Sequence, residues 1–171
     1  MSTADTKSET KGRILIADDN PVNQELLEAY LQDYGYEIEF ASDGVETLAK
    51  VSSFKPDLIL LDVMMPKLSG FEVCETLKKG PGSRQIMILM VTALAELGDI
   101  ERAVSAGCDD YLSKPVHQLE LVKRVENLLK LKSVSNELER LRCYIDSMED
   151  SMGPQAASQI ASQASQAPSQ E

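Results

Sequence analysis

Five polar side chains stand where short apolar runs end. Asp18 and Asp19 follow Arg13 to Ala17 (RILIA), Asp62 follows Asp57 to Leu61 (DLILL), Thr92 follows Ile86 to Val91 (IMILMV), and Lys114 comes just after Tyr111-Leu112. If those runs are parallel strands of one sheet, their carboxyl ends bring three carboxylates to a single crevice. At about 4 Å each like pair costs about 4 kcal/mol at an effective dielectric near 20, a repulsion that a hard cation would relieve. Mg2+ takes one or two carboxylates together with water and phosphate oxygens. The Thr92 hydroxyl and the Lys114 ammonium would then donate to an anion beside the metal. A carboxylate nucleophile, Mg2+ and a Lys/Thr clamp are the parts needed for phosphoryl transfer onto an aspartate.

Taken singly, each residue has an ordinary role. Asp18 or Asp19 would cap a helix, Asp62 would end a strand, Thr92 would fill a strand end, Lys114 would be a solvated surface group and Tyr111 a core residue. The chemistry rests on all of them falling at one sheet edge.

The elements that must position them alternate along the chain. Arg13 to Ala17 is an apolar run suited to a strand buried on both faces. Asn20-Pro21 then supplies an N-cap and a first helical residue, followed by Val22, Leu26, Leu27, Tyr30 and Leu31 at helical spacing. A second strand is expected over Tyr36 to Ala41, and Asp43-Gly44 opens a helix carrying Val45, Leu48 and Val51. Asp57 to Leu61 is the third strand, and Ser69-Gly70 opens a helix with Phe71, Cys74 and Leu77. Ile86 to Val91 is the fourth strand, a helix spans Glu96 to Ala106 and stops at Gly107, and Tyr111-Leu112 forms a short fifth strand. Five alternations with strands apolar on both faces predict an α/β, doubly wound five-stranded parallel sheet covered by helices on both sides.

The last helix has no internal stop signal, since neither Gly nor Pro occurs from Gln118 to Met152. At ~1.5 Å per residue it would run ~50 Å. Its start, with Leu121, Val122, Val125 and Leu129, can pack on the domain, and beyond Lys130 the spacing becomes heptad-like. Leu131, Leu138, Ile145 and Met152 fall at a positions, and Val134, Leu141 and Met148 at d. Glu137 at g and the following e residue Arg142 would pair between parallel chains, predicting a short coiled coil and a parallel homodimer. The other reading is a long helix that folds this stripe back onto its own domain. The expected organisation is a disordered leader over 1–12, the phosphoacceptor domain over 13–130, a coiled-coil extension over 131–152 and a disordered Ser/Gln/Ala tail over 153–171.

Composition excludes other classes. A net charge of −11 argues against a nucleic-acid binder and against a polybasic membrane docker. The polar leader does not read as a signal peptide and no apolar run approaches membrane-spanning length, so a cytoplasmic protein is expected. Cys74, Cys108 and Cys143 match neither a metal-ligand spacing nor a disulfide framework. His117 reads as a helix-start residue, and Gly80-Pro81-Gly82 lacks the Lys-Ser/Thr pair of a phosphate cradle.

The motifs ADD at 17–19, LLDVMMPKLSG at 60–70, VTA at 91–93 and DDYLSKP at 109–115 resemble those of the response-regulator receiver domain of bacterial two-component signalling. The similarity covers about residues 13–130 and implies a chemotaxis-regulator-like, flavodoxin-like fold with strand order 2-1-3-4-5 and a cis Lys114-Pro115 peptide. It further implies that Asp62 is the phosphoacceptor, receiving its phosphoryl group from a sensor histidine kinase or a phosphotransfer protein. Asp18, Asp19, Asp62 and the backbone carbonyl of Met64 would hold Mg2+, Thr92 and Lys114 would contact the phosphoryl group, and Tyr111 would be the aromatic switch. The chemistry would be limited to self-phosphorylation and autodephosphorylation. Met64 and Leu94 are apolar where a polar side chain could position an attacking water, so a long-lived aspartyl phosphate is expected. Only the low-complexity tail follows the last helix, which predicts a stand-alone regulator acting on a downstream protein target. The competing reading is a phosphorylation-independent scaffold or adaptor working through its coiled coil and tail. A metal-dependent phosphatase would need a second Asp two residues after Asp62, where Met64 stands.

Overall fold

Apolar runs as short and uninterrupted as ILIA and LILL have no polar side to turn toward water, so they are stable only between two covering layers. That is where the structure, a computed structural model, places them. It describes residues 10–94 and 96–151, with side chains as far as Arg142. The elements are β1 (Arg13–Ala17), α1 (Pro21–Leu31), a 3-10 turn (Gln32–Tyr34), β2 (Glu37–Ala41), α2 (Gly44–Phe54), β3 (Leu58–Leu61), α3 (Gly70–Lys79), β4 (Met87–Thr92), α4 (Leu97–Ala106), β5 (Asp110–Ser113) and α5 (Gln118–Ser151). The leader up to residue 9, Met152 and the tail expected over 153–171 lie outside the described residues.

Local signals set most boundaries. The Asn20 side chain accepts from the Val22 amide with Pro21 as the first helical residue, and Asp43 accepts from the Glu46 amide. Ser69 and Glu72 form a reciprocal capping box at the start of α3, and Gly107 closes α4 in the left-handed conformation. Several strand ends differ from the expectation by one residue, including both ends of β5, which spans Asp110–Ser113. β2 begins at Glu37, β3 begins at Leu58, and β4 runs from Met87 through Thr92. Just before β3 the Asp57 backbone still donates to the Arg13 carbonyl at 2.8 Å and accepts from the Met87 amide at 3.0 Å, while its side chain accepts from the Arg13 amide at 2.9 Å and the Lys132 ammonium at 2.6 Å.

All four strand pairs are parallel, in the order β2-β1-β3-β4-β5, and Lys114-Pro115 is cis. Ala17 stands beside Ala41 and Leu61 in register, and Thr92 stands beside Ser113. The hydrogen-bond ladder continues one step past the strand ends. Asp18 N donates to Ala41 O at 3.1 Å, Asp62 N to Ala17 O at 2.9 Å and Lys114 N to Thr92 O at 2.9 Å. Register therefore delivers Asp18, Asp62 and Lys114 to one edge.

Alternation along each strand separates two cores. Leu15, Ala17, Ile59, Leu61, Ile88 and Met90 face α2, α3 and α4, whose Phe54, Phe71, Cys74, Leu77 and Ala103 complete that cluster. Ile14, Ile16, Leu58, Leu60, Leu89 and Val91 face Leu27 and Leu31 of α1 and Leu121, Val122, Val125 and Leu128 of α5.

The chain divides into two units at Lys132/Ser133. The described part of the second unit is the remaining length of α5, in which Val134, Leu138 and Leu141 are each more than half exposed, as is Leu131 just before them. The side chains of Ile145 and Met148 lie outside the described residues. Among the described residues no helix is long and apolar enough to cross a membrane.

Candidate functional site

Asp18 leaves β1 as a buried carboxylate, only 2% exposed, while its neighbour Asp19 is open to solvent. Asp62 leaves β3 at 7% exposure, and its Oδ1 accepts from the Met64 amide at 3.2 Å, which turns the chain into the loop before α3. One carboxylate oxygen from each of Asp18, Asp19 and Asp62 lies within 4.8 Å of the others. The Lys114 ammonium sits between two of them, 2.8 Å from Asp18 Oδ2 and 3.1 Å from Asp62 Oδ2. Burial works against the charge on Lys114, but the hydrogen bond to Asp18 and the charges of Asp62 and Asp18 outweigh it and hold the ammonium above the usual lysine range.

Three acidic groups so close are electrostatically unfavourable alone, and a cation already stands among them. The donor set is all oxygen, which suits a hard divalent ion of the Mg2+ kind. The Met64 backbone carbonyl follows in the loop directly after Asp62, and the Met64 side chain is exposed.

Thr92 is fully buried as the last residue of β4, and its hydroxyl accepts from the Leu94 amide at 3.3 Å. Tyr111 packs against the α2-α3-α4 core with Leu94, and its hydroxyl is buried without a hydrogen-bond partner. Glycine is required beside Asp62, since a Cβ on Gly70 would stand 2.3 Å from the Asp62 carbonyl oxygen and 2.8 Å from Val63 Cα. Only a bare backbone lets the start of α3 come that close to the end of β3.

Asp18, Asp19, Asp62, Thr92 and Lys114 thus all stand on the carboxyl edge of the sheet, with Tyr111 on the next strand. Two residues of the site were missed. Asn23 donates from Nδ2 to both Asp18 oxygens, and Gln24 donates to the carbonyls of Asp18 and Ala41. A signal for Gln24 does exist, because it shares the buried stripe of α1 with Leu27 and Leu31, a polar residue at a core position.

The two described thiols, Cys74 and Cys108, take no part. Burial pushes Cys74 up to about 12 and Cys108 up to about 11, so both are protonated, non-nucleophilic groups at neutral pH. His117 accepts the first helical bond of α5 through its carbonyl, from the Leu121 amide, as a helix-start residue does.

Comparison with known proteins agrees with this geometry. The family model "Response regulator receiver domain" matches residues 14–126. Response regulator PleD of Caulobacter vibrioides is 43% identical over 128 residues, covering 75% of this chain and 28% of that protein. The DNA-binding dual master transcriptional regulator RpaA of Synechocystis is 41% identical over 118 residues, covering 69% of this chain and 49% of that one. The chain therefore spans about half or less of these curated relatives. Among solved structures, the receiver domain of a signal transduction histidine kinase from Syntrophus aciditrophicus is similar, with a TM-score of 0.66 and 36% identity, covering 70% of this chain and 90% of that chain. A CheY-like receiver domain protein from Methanospirillum hungatei gives a TM-score of 0.67 at 31% identity, covering 72% and 97%. With its five-stranded parallel sheet and its aspartate pocket, this chain belongs to the response regulator receiver domain family.

Proposed function

We propose that the chain accepts a phosphoryl group on Asp62 from a phosphohistidine and uses the change to alter a protein-binding surface. The observation that carries this reading is the convergence of Asp18, Asp19 and Asp62 within 4.8 Å, with Lys114 bridging two of them. An Asp62 carboxylate oxygen forms the new O–P bond as the P–N bond of the donor breaks, and the donor imidazole keeps the electron pair. Asp18, Asp19, Asp62 and the Met64 carbonyl would hold Mg2+, which when bound neutralises charge on the transferring phosphoryl oxygens. Lys114 moves from carboxylate partner to phosphoryl partner, and the Thr92 hydroxyl donates to the new group. Release of Thr92 from the Leu94 amide frees the segment against which Tyr111 packs.

Kinship with a histidine kinase's receiver domain supports a sensor histidine kinase or a phosphotransfer protein as the donor. The output runs through a protein target and through α5. Leu131, Val134, Leu138 and Leu141 form an exposed stripe at a and d spacing, with Glu137 and Arg142 placed to pair across a parallel two-stranded coiled coil.

One experiment tests both parts. The chain is incubated with Mg2+ and acetyl phosphate, with Asp62→Asn as control, and followed by intact mass and light scattering. Wild type should gain one phosphoryl group and run as a dimer that Leu138→Glu dissociates. Equal labelling of Asp62→Asn would refute the phosphoacceptor assignment, and a monomeric wild type would refute the coiled coil.

A further inference from the structure

Helix α1 opens with two consecutive amides that both address Asp18. Asn23 Nδ2 lies 3.2 Å from Asp18 Oδ1 and 3.1 Å from Oδ2. Gln24 Nε2 lies 2.6 Å from the Asp18 carbonyl and 3.1 Å from the Ala41 carbonyl, and this side chain is buried. We propose that Asn23 is a positioning residue for the cation site, with Gln24 fixing the backbone beneath it. The inference rests on the reading of Asp18, Asp19 and Asp62 as cation ligands.

A carboxylate in the interior keeps its charge only if its oxygens are satisfied. Asp18 Oδ1 takes the Asn20 backbone amide at 2.9 Å, and Oδ2 takes Lys114 at 2.8 Å. Asn23 spans both oxygens from the side. A donor that bridges the two oxygens fixes rotation of the carboxylate about its Cβ–Cγ bond. Oδ1 is thereby held toward the start of α1, and Oδ2 toward Lys114 and Asp62. Of the three groups that donate to this carboxylate among the described residues, Lys114 is the charged one, and it is the one an incoming cation must compete with. Asn23 is neutral, so it orients the ligand without cancelling the charge that attracts the ion. Gln24 acts one layer below, joining the carboxyl ends of β1 and β2 so that the Asp18 backbone cannot drift as its side chain exchanges partners.

The test is calorimetric titration of Mn2+ into the full chain, comparing wild type with Asn23→Leu and Asn23→Thr. Circular dichroism melts of the metal-free proteins verify folding. Leucine keeps the size and removes the donor, whereas threonine keeps a hydroxyl donor. Asn23→Leu should weaken Mn2+ binding about tenfold, as loss of a partner behind a metal ligand commonly does, with Asn23→Thr falling between it and wild type. Wild-type affinity in Asn23→Leu would overturn the inference, as would equal losses in the two variants, which mark a packing role. A wild-type chain that takes up no Mn2+ would overturn the cation reading itself. Normal uptake with an unaffected Asn23→Leu would overturn the role of Asn23 alone.

Discussion

Replacing Lys114 by methionine should destabilise the metal-free chain and make its stability depend more strongly on Mg2+. Methionine keeps an unbranched side chain of similar length and removes the charge. Lys114 lies 2.8 Å from an Asp18 carboxylate that is 2% exposed and 3.1 Å from an Asp62 carboxylate that is 8% exposed. Removing one partner of a buried pair costs about 3–5 kcal/mol, and because Lys114 is itself 21% exposed the lower end applies. An independent figure agrees, since two carboxylates at the 4.8 Å that bounds the cluster repel by about 3.5 kcal/mol at an effective dielectric near 20. A loss of about 3 kcal/mol lowers Tm by about 10 °C in a domain of this size. Mg2+ at a hundred times its Kd adds about 2.7 kcal/mol to a folded state that binds it. Wild type must give up Lys114 contacts to bind the ion, whereas the variant has none to give up, so the Mg2+-induced rise should be larger in Lys114→Met. Thermal melts in EDTA and in saturating MgCl2 read both quantities. A variant as stable as wild type in EDTA, or equal Mg2+ increments in the two proteins, would refute the reasoning.

Gly70→Ala places a methyl 2.3 Å from the Asp62 carbonyl oxygen, and should cost about 1–3 kcal/mol in denaturant melts while slowing labelling of Asp62; an unchanged midpoint would contradict the close approach. Tyr111→Phe removes a buried hydroxyl that lacks a partner and should raise stability by about 1 kcal/mol at constant m-value, whereas a loss would reveal a partner. Burial works to raise the Asp57 carboxyl, but the Lys132 ammonium and the Arg13 amide outweigh it and hold the group below its usual range. Its folded value is thus depressed, so its contribution is present above the unfolded value of about 3.9 and is lost as pH falls through the folded one. Asp57→Asn should therefore be less stable than wild type at pH 7, by under about 1 kcal/mol because the pair is partly exposed, and the two melts should converge in acid. Leu94→Glu and Met64→Asn should each shorten the life of the aspartyl phosphate, read as decay of the labelled mass; no faster decay than in wild type would sink the idea that these apolar positions protect it.

Much of this was legible because the strands are buried on both faces. RILIA, DLILL and IMILMV can be read from composition alone, and once they are parallel neighbours the residue after each must share an edge. Asp18, Asp62 and Thr92 follow those runs, and the structure joins the first two through Lys114, which comes after β5. The partners of the Asp57 side chain, Arg13 and Lys132, are 44 and 75 residues distant, and no local pattern announces them. Asn23 and Gln24 were missed for a related reason. Their partners are the Asp18 carboxylate and the carbonyl level of β2, and neither is fixed until α1 is docked against the sheet. The short apolar pair Tyr111-Leu112 marks the fifth strand, which β5 contains, but it could not say that the Tyr111 hydroxyl would be buried and unpaired.

The sheet is also a partition. Tyr111 and Leu94 pack in the compartment walled by α2, α3 and α4, whereas the start of α5 is seated in the other compartment with α1. The two share a border at β5, an edge strand of four residues paired only with β4, whose last residue precedes Lys114 and the turn into α5. On the proposed reading, a change at Asp62 would reach α5 along that rim, through Lys114, since the middle of the sheet is filled by aliphatic side chains that answer to separate neighbours. Such a layout is modular. Either compartment can be repacked, or α5 exchanged for another helix, while the opposite side keeps its own walls.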